Sequence, residues 1–128
     1  MPRFTFKKNE RLCSLKAIED LYKEGASFYN TDLKCIYLLK SEPQPAPCQV
    51  VFSVPKRSFK RAVDRNLLKR RMREAYRLHK HLLYEQLLEK QKNLHLLIIY
   101  TPKEIRTFEA IENSLLKALK SLAGKAIN

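Results

Sequence analysis

Glycine is scarce in this sequence: only Gly25 and Gly124 occur among 128 residues, and tryptophan is absent. Loops that cradle the phosphates of a nucleotide need several closely spaced glycines, because their backbone must approach the ligand without intervening side chains. Two widely separated glycines cannot build such a loop. The sequence therefore excludes a glycine-rich nucleotide-binding site.

Cysteine is also sparse, and its spacing is not that of a metal site. Cys13, Cys35 and Cys48 are an odd number, lie far apart and include no CxxC pair. The three histidines show no ligand spacing with them. We therefore expect small, buried, reduced thiols and no metal site in the protein.

Long hydrophobic runs are missing. No apolar stretch approaches the roughly 20 residues that cross a bilayer, and the N-terminal residues lack the apolar core of a signal peptide. With 45% hydrophobic residues, the chain is still apolar enough to build a core. We expect residues 1–128 to form one domain in the cytoplasm, with no membrane contact and no obligate protein partner.

Acidic residues are half as numerous as basic ones, 13 against 26, and they are scattered. Asp64 and Glu74 each have a lysine or arginine within four residues, which favours ion pairing or helix capping over metal binding. A Ser/His/Asp or Cys/His arrangement cannot be placed either. The sequence predicts no catalytic residue in the protein.

Basic charge is abundant and is concentrated in one segment. Residues 55–80 contain eleven lysines and arginines against two carboxylates, a local net charge of +9 out of +13 for the whole chain. One fifth of the chain thus carries about two thirds of its excess charge. This segment is the first candidate for a binding surface.

Cations repeat every four residues within this segment, which places them on one face of an α-helix. A solvated helix face is the ordinary interpretation of a charge run, but such faces usually mix both signs. Like charges at this spacing oppose helix formation unless an anion neutralises them. The pattern therefore favours a polyanion, and nucleic acid in particular. We name five residues the basic ridge: Arg61, Arg65, Lys69, Arg73 and Arg77.

Hydrophobic periodicity predicts the element order α-β-β-β-α-β-α, in an α+β fold with a mixed sheet. Val63, Leu68, Met72 and Tyr76 lie opposite the ridge and are expected to pack on the core. The segment 80–93 is helical, either continuing the basic helix or following a bend. The other predicted elements are a helix from Ser14 to Gly25, strands at 26–30, 33–39, 48–54 and 95–100, a basic helix from about Ala62, and a helix from Thr107 to Gly124.

The segment SVPKR…AV-x-RN-x-x-KR-x-x-REAYR resembles the protein component of bacterial ribonuclease P. Arg65-Asn66, Lys69-Arg70 and Arg73-Glu74 occupy the positions of that family's signature. The opening segment 8–12, KNERL, fits the family as well. Pro55 stands where many relatives have serine, and the loop 58–61 has Lys60 near the family's usual glycine and is one residue longer.

This resemblance implies a two-layer α/β sandwich with a mixed four-stranded sheet and a left-handed βαβ crossover, similar to a domain of a small-subunit ribosomal protein. It also implies that the protein assists a catalytic RNA subunit, which cleaves precursor tRNA with bound Mg²⁺ and removes its 5′ leader. The residues expected to bind the catalytic RNA are Lys56, Arg57, Lys60, Arg61, Arg65, Asn66, Lys69, Arg70, Arg73 and Arg77.

In this family a cleft between the N-terminal helix and the exposed sheet face holds the single-stranded leader. Tyr22, three residues before Gly25, stands where the family has a cleft aromatic. Ile18 stands where relatives often have phenylalanine, so one stacking platform is absent. A core position is the competing interpretation for each aromatic residue. The candidates for the leader cleft are Phe6, Arg11, Ile18, Tyr22, Tyr37 and Phe52.

Three other functions fit parts of the sequence. A structural RNA-binding protein of the ribosomal type has the same composition, but it does not require the spacing of Arg65-Asn66, Lys69-Arg70 and Arg73-Glu74. A helix-turn-helix DNA-binding protein needs a partner helix just upstream, where residues 50–54 read as a strand. A metal-dependent nuclease needs carboxylates that the sequence does not group.

Overall fold

The computed structural model of the chain describes residues 6–125, except for the side chain of Lys125. A short 3₁₀ turn at Lys8–Glu10 precedes the first regular helix. The helices and strands are α1 (Leu15–Glu24), β1 (Ala26–Asn30), β2 (Leu33–Lys40), β3 (Cys48–Ser53), α2 (Ala62–His79), α3 (His81–Glu89), β4 (Asn93–Tyr100) and α4 (Phe108–Lys125).

Helix α1 begins and ends where the sequence predicts. The Ser14 hydroxyl oxygen accepts a hydrogen bond from the Ala17 amide at 3.2 Å, which caps an otherwise unpaired donor. Gly25 ends the helix against the sheet. A Cβ atom at Gly25 would lie 2.5 Å from the Leu21 carbonyl oxygen and 2.7 Å from Cγ2 of Ile36. Glycine is therefore required for the close approach of α1 to the sheet.

The sheet has four strands in the order β1-β2-β4-β3. Strands β1 and β2 pair antiparallel, as do β2 and β4, whereas β3 and β4 pair parallel. The sheet is mixed, as predicted. Helices α2 and α3 connect the two parallel strands and form the βαβ unit. The left-handed sense of this crossover stays a prediction.

Two hydrophobic cores lie on opposite faces of the sheet. The larger core joins one face to α2, α3 and α4, and we name this the closed face. The smaller core joins the other face to α1 through buried Leu12, Leu21, Ile36 and Leu97. We name this second face the open face, because Val51 and other apolar residues around that core are only half-buried. Alternation along each strand assigns every residue to one face.

The structure corrects three predictions and decides an open one. Val63 is 60% exposed, so it does not pack on the core. Gly124 lies within α4 and does not end it. Cys13 is exposed, whereas Cys35 and Cys48 are buried, and burial raises the pKa of both buried thiols to about 12. The segment after the basic helix forms a separate helix, α3.

Within residues 6–125, no helix combines the length and the apolar composition needed to cross a bilayer.

Candidate nucleic-acid interface

Helix α2 presents the basic ridge at the surface because four residues on its opposite side are fully buried. Leu68, Met72, Ala75 and Tyr76 have no exposed surface and anchor the helix on the closed face. All five ridge residues are exposed or half-exposed. Asn66 and Arg70, which flank the ridge, are exposed too. The spacing predicted from the sequence therefore corresponds to a real cationic surface.

Within the described part of the chain, two ridge residues form side-chain hydrogen bonds, Arg65 and Arg77. The Arg65 guanidinium donates to the carbonyl oxygens of Phe59 and Lys60, both at 2.8 Å, and so ties the helix to the loop before it. Arg77 donates to the Glu74 carboxylate at 2.5 and 3.0 Å. The hydrogen bond from Arg77 lowers the pKa of Glu74, which stays ionised and partly offsets the charge of Arg77.

The basic loop between β3 and α2 is anchored by one buried aromatic ring. Phe59 is buried, and its ring centroid lies 5.8 Å from that of Tyr100 in the core. Lys56, Arg57 and Lys60 on the same loop are exposed. The apolar anchor therefore holds three cations next to the ridge, so that the loop and the helix form one basic surface.

A groove of about 240 Å³ lies where the N-terminal segment, the edge of β3 and α2 meet. We name it the edge groove. Its cations are Arg11, Lys69 and Arg73, and its aromatic residues are Phe6 and Phe52. Such a combination suits single-stranded nucleic acid, because its phosphates pair with cations and its bases stack on aromatic rings. The remaining lining residues are Leu12, Cys13, Val50 and Val51.

The N-terminal wall of the edge groove is held by pairing with the outer edge of β3. The Leu12 amide donates to the Val50 carbonyl oxygen at 2.9 Å. The Gln49 side chain donates to the Asn9 carbonyl oxygen at 3.1 Å. The Arg11 guanidinium lies 5.4 Å from the centroid of the Phe6 ring, within the range of a cation–π contact. These contacts fix Arg11 opposite the cations of α2.

A buried ion pair fastens this wall to the corner between α2 and α3. The Lys80 ammonium donates to one Glu10 oxygen, to which the Tyr84 hydroxyl also donates at 2.6 Å. The Lys7 amide donates to the other Glu10 oxygen at 2.6 Å. Burial alone would raise the pKa of Glu10, but the three donors and the Lys80 charge outweigh it, so the pKa is lowered. Glu10 is therefore an ionised, satisfied carboxylate.

The six predicted cleft residues do not share one surface. Phe6 and Arg11 line the edge groove, while Ile18 is half-buried in the smaller core. Tyr22 is 60% exposed on α1, as its predicted role requires.

Tyr37 and Phe52 were expected beside α1, and this placement is wrong. Strand alternation turns both side chains to the closed face, opposite α1. The Tyr37 ring contacts Phe28, with centroids 6.1 Å apart. The Phe52 ring contacts Phe6 and Tyr76, at 6.2 and 5.7 Å, and only its margin reaches the edge groove.

One exposed aromatic residue escaped the sequence analysis. Tyr29 in β1 is 72% exposed, and Lys34 Nζ lies 5.3 Å from the centroid of its ring. Strand alternation in β1 provided a signal for this position, but the strand has only five residues, and Phe28 beside it is also aromatic.

Among the residues that the structure describes, no group of three histidine, cysteine, aspartate or glutamate side chains has the arrangement of a metal site.

Comparison with known proteins gives a consistent result. The family model described as Ribonuclease P matches residues 6–123. The ribonuclease P protein component of Porphyromonas gingivalis strain W83 is 38% identical over 123 residues, covering 96% of this chain and 90% of that protein. The protein component of Chlorobaculum tepidum is 41% identical over 70 residues, covering 52% of this chain and 46% of that protein.

Solved structures agree on the fold. The RNase P protein of Staphylococcus aureus superposes with a TM-score of 0.73 at 26% identity, covering 94% of this chain and all of that one. The RNase P protein from Thermotoga maritima superposes with a TM-score of 0.70 at 24% identity, covering 88% and 96% of the two chains.

Proposed function

Because the chain belongs to the ribonuclease P family and is the protein subunit of that tRNA-processing endoribonuclease, we propose a division of labour between its two surfaces. The basic surface of α2 and its loop docks on the catalytic RNA, which is the partner of the protein. The open face of the sheet, beside α1, holds the single-stranded 5′ leader of precursor tRNA.

The basic ridge is the observation that carries this proposal. Its cations are exposed or half-exposed, whereas the carboxylates of α2 are limited to Asp64 and Glu74. Binding of phosphates to such a surface releases condensed counterions, which supplies most of the affinity at low salt. The basic loop and the edge groove extend the same surface on either side of α2, so that one RNA face can contact all three.

Tyr22 supports the assignment of the leader to the open face. Single-stranded RNA is bound by stacking of its bases on aromatic rings next to cations. Tyr22 is an exposed ring on the helix that half-covers this face. By holding the leader there, the protein favours precursor over mature tRNA and positions the scissile phosphate for the catalytic RNA.

The chemistry belongs to the RNA subunit, with bound Mg²⁺ ions as the metal. The protein contributes phosphate neutralisation and positioning. It acts as a single domain, in the cytoplasm where precursor tRNA is made, and it requires no further protein. A purely structural RNA-binding role is the alternative, and cleavage assays separate the two.

The test is reconstitution. The purified protein should restore cleavage of precursor tRNA to a bacterial ribonuclease P RNA at a magnesium concentration too low for the RNA alone. RNA-free protein should not cleave. Arg70→Ala in the basic surface should weaken this stimulation, whereas Lys120→Ala on α4, an equally exposed cation, is the matched control and should leave it unchanged. Cleavage by the protein alone, or no stimulation of the RNA, would contradict the proposal.

A further inference from the structure

Exposed aromatic rings are rare in this protein. Among residues 6–125, only Tyr22 and Tyr29 are exposed aromatic residues, and the other rings are buried or half-buried. A single exposed apolar group needs no explanation. Tyr29 is different because of what lies beside it.

Tyr29 begins a row of residues that crosses the whole sheet on the open face. The register pairs Tyr29 with Lys34, Lys34 with Ile99, and Ile99 with Ser53, so these four side chains point the same way. Ile99 packs at the margin of the smaller core under α1, which identifies the face. The chain continues from Ser53 into the basic loop, so the row connects Tyr29 to the basic surface.

One flank of α1 overlooks this row. Burial and the charge of Lys40 lower the pKa of His95, whereas Asp20 on α1 and Glu42 act in the opposite direction, which indicates that Asp20 lies near His95. His95 belongs to the row on the other side of the smaller core. At 100° per residue, Ile18 and Tyr22 are on the flank opposite Asp20. Tyr22 therefore faces the row that begins at Tyr29.

Lys34 supplies the positive charge of this row. Its ammonium lies over the Tyr29 ring, and within the described chain it forms no ion pair with a carboxylate. An exposed ring next to an uncompensated cation matches the two needs of a nucleotide in a single strand, a stacking surface for its base and a counter-charge for its phosphate. Continuity with the basic loop favours RNA as the occupant.

We propose that Tyr29 and Lys34 form a leader-binding site in which the ring stacks on a base and the ammonium pairs with a phosphate. The inference rests on the proposed function of the open face. Strand β1 is the sheet edge opposite β3, three inter-strand spacings away, or about 14 Å. The nucleotides that contact Tyr29 and Lys34 are therefore farther from the cleavage point than the nucleotides that lie near the basic loop. Only longer leaders reach the site.

The experiment measures the affinity of reconstituted holoenzyme for precursors whose leaders increase from one nucleotide upward. Tyr29→Ala should weaken binding of long-leader precursors by roughly tenfold, within the range of one lost base stack. Tyr29→Phe, which keeps the ring, should retain the affinity. Lys34→Gln should lower the salt dependence for long leaders by up to about one unit of slope. Leu88→Ala, which removes an exposed apolar residue from α3, is the matched control and should change nothing.

A loss that is absent for the one-nucleotide leader and grows with leader length supports the site. Equal losses at all lengths, or no loss for Tyr29→Ala, overturn it. A wild-type enzyme that prefers long leaders and depends on Tyr22 but not on Tyr29 refutes this inference alone. A wild-type enzyme indifferent to leader length refutes the leader-binding function, and the inference with it.

Discussion

Both faces of the sheet carry apolar side chains, but the helices that cover them differ. Three helices seal the closed face, and Leu96, Ile98 and Tyr100 there have no exposed surface. A single ten-residue helix covers the middle of the open face, and Val51 and Ile99 beside it stay half-buried. Aromatic rings on the closed face are therefore structural, while rings on the open face remain available to a ligand. The difference supports the proposal that one face provides stability and the other binds the leader.

The largest expected loss of stability comes from breaking the buried ion pair between Lys80 and Glu10. Lys80→Met leaves the Glu10 carboxylate buried without its cation, which should lower the free energy of unfolding by about 3–5 kcal/mol. Urea denaturation measures the loss. The double variant Glu10→Gln/Lys80→Met is the control and should recover part of it, because no charge is left uncompensated. Equal stability of wild type and Lys80→Met would show that the pair does not hold the N-terminal wall.

The same pair predicts a pH dependence. The pKa of Glu10 is lower in the folded protein than its ordinary value of 4.5, so its contribution is fully present above pH 4.5. The contribution is lost as the pH falls through the lowered pKa of the folded state. Stability measured against pH should therefore decline less steeply in acid for the double variant than for the wild type. Parallel curves would contradict the assignment.

Truncation of a closed-face ring should also cost stability rather than selectivity. Phe52 is 9% exposed and contacts Phe6 and Tyr76, so Phe52→Ala should lower the free energy of unfolding by about 3 kcal/mol. The affinity of correctly folded holoenzyme should change equally for long and one-nucleotide leaders. A loss confined to long leaders would return Phe52 to the leader cleft and break the comparison.

Truncation of an open-face ring should weaken leader binding rather than stability. Tyr22→Ala should leave the free energy of unfolding within about 0.5 kcal/mol of wild type, because the side chain is mostly exposed. It should weaken binding of long-leader precursors by about 1–3 kcal/mol, the value of one stacked base. Mature tRNA and the catalytic RNA should bind as before. Circular dichroism and binding assays with both leader lengths measure the contrast.

The smallest expected effects belong to single cations of the ridge. Arg65→Ala should weaken association with the catalytic RNA and flatten the slope of log affinity against log salt by up to about one unit. Arg73→Ala should act in the same way but less, since Arg65 also holds the basic loop through two carbonyl oxygens. Arg71→Ala is the control, because Arg71 donates to the Arg106 carbonyl oxygen instead. An unchanged slope for both ridge variants would remove the ridge from the RNA interface.

The sequence was sufficient to predict the ridge and most of the elements. Period-four cations and a capping Ser14 act locally, so neighbours along the chain determine them. Gly25 was predicted as a helix end, although its close contact with Ile36 becomes visible only in the structure. The break between α2 and α3 falls at Lys80, whose buried partner Glu10 lies 70 residues away in the sequence. No local pattern specifies such a contact.

The face of each aromatic ring was the harder question. Strand β2 is apolar on both faces, with Cys35 and Tyr37 on one and Ile36 and Leu38 on the other. Alternation separates these two sets but does not state which set the helices cover. Tyr37 was consequently expected on the ligand side, and Tyr29 was missed. Tertiary packing decides this question.

The N-terminal wall of the edge groove has a consequence for how the protein is made. The Leu12 amide donates to Val50, and Glu10 pairs with Lys80, which lies 70 residues later in the chain. Contacts so distant in sequence require loop closure before they gain any stabilisation, and we expect them to form late in folding. During synthesis the N-terminal segment leaves the ribosome before either of its partners, and we expect it to dock only after Lys80 has emerged, which pulse-labelled hydrogen exchange at Leu12 would test. We therefore expect a nascent chain to expose its basic residues before its edge groove has formed. RNA present at that stage would bind to the positive charge without the contacts of the groove.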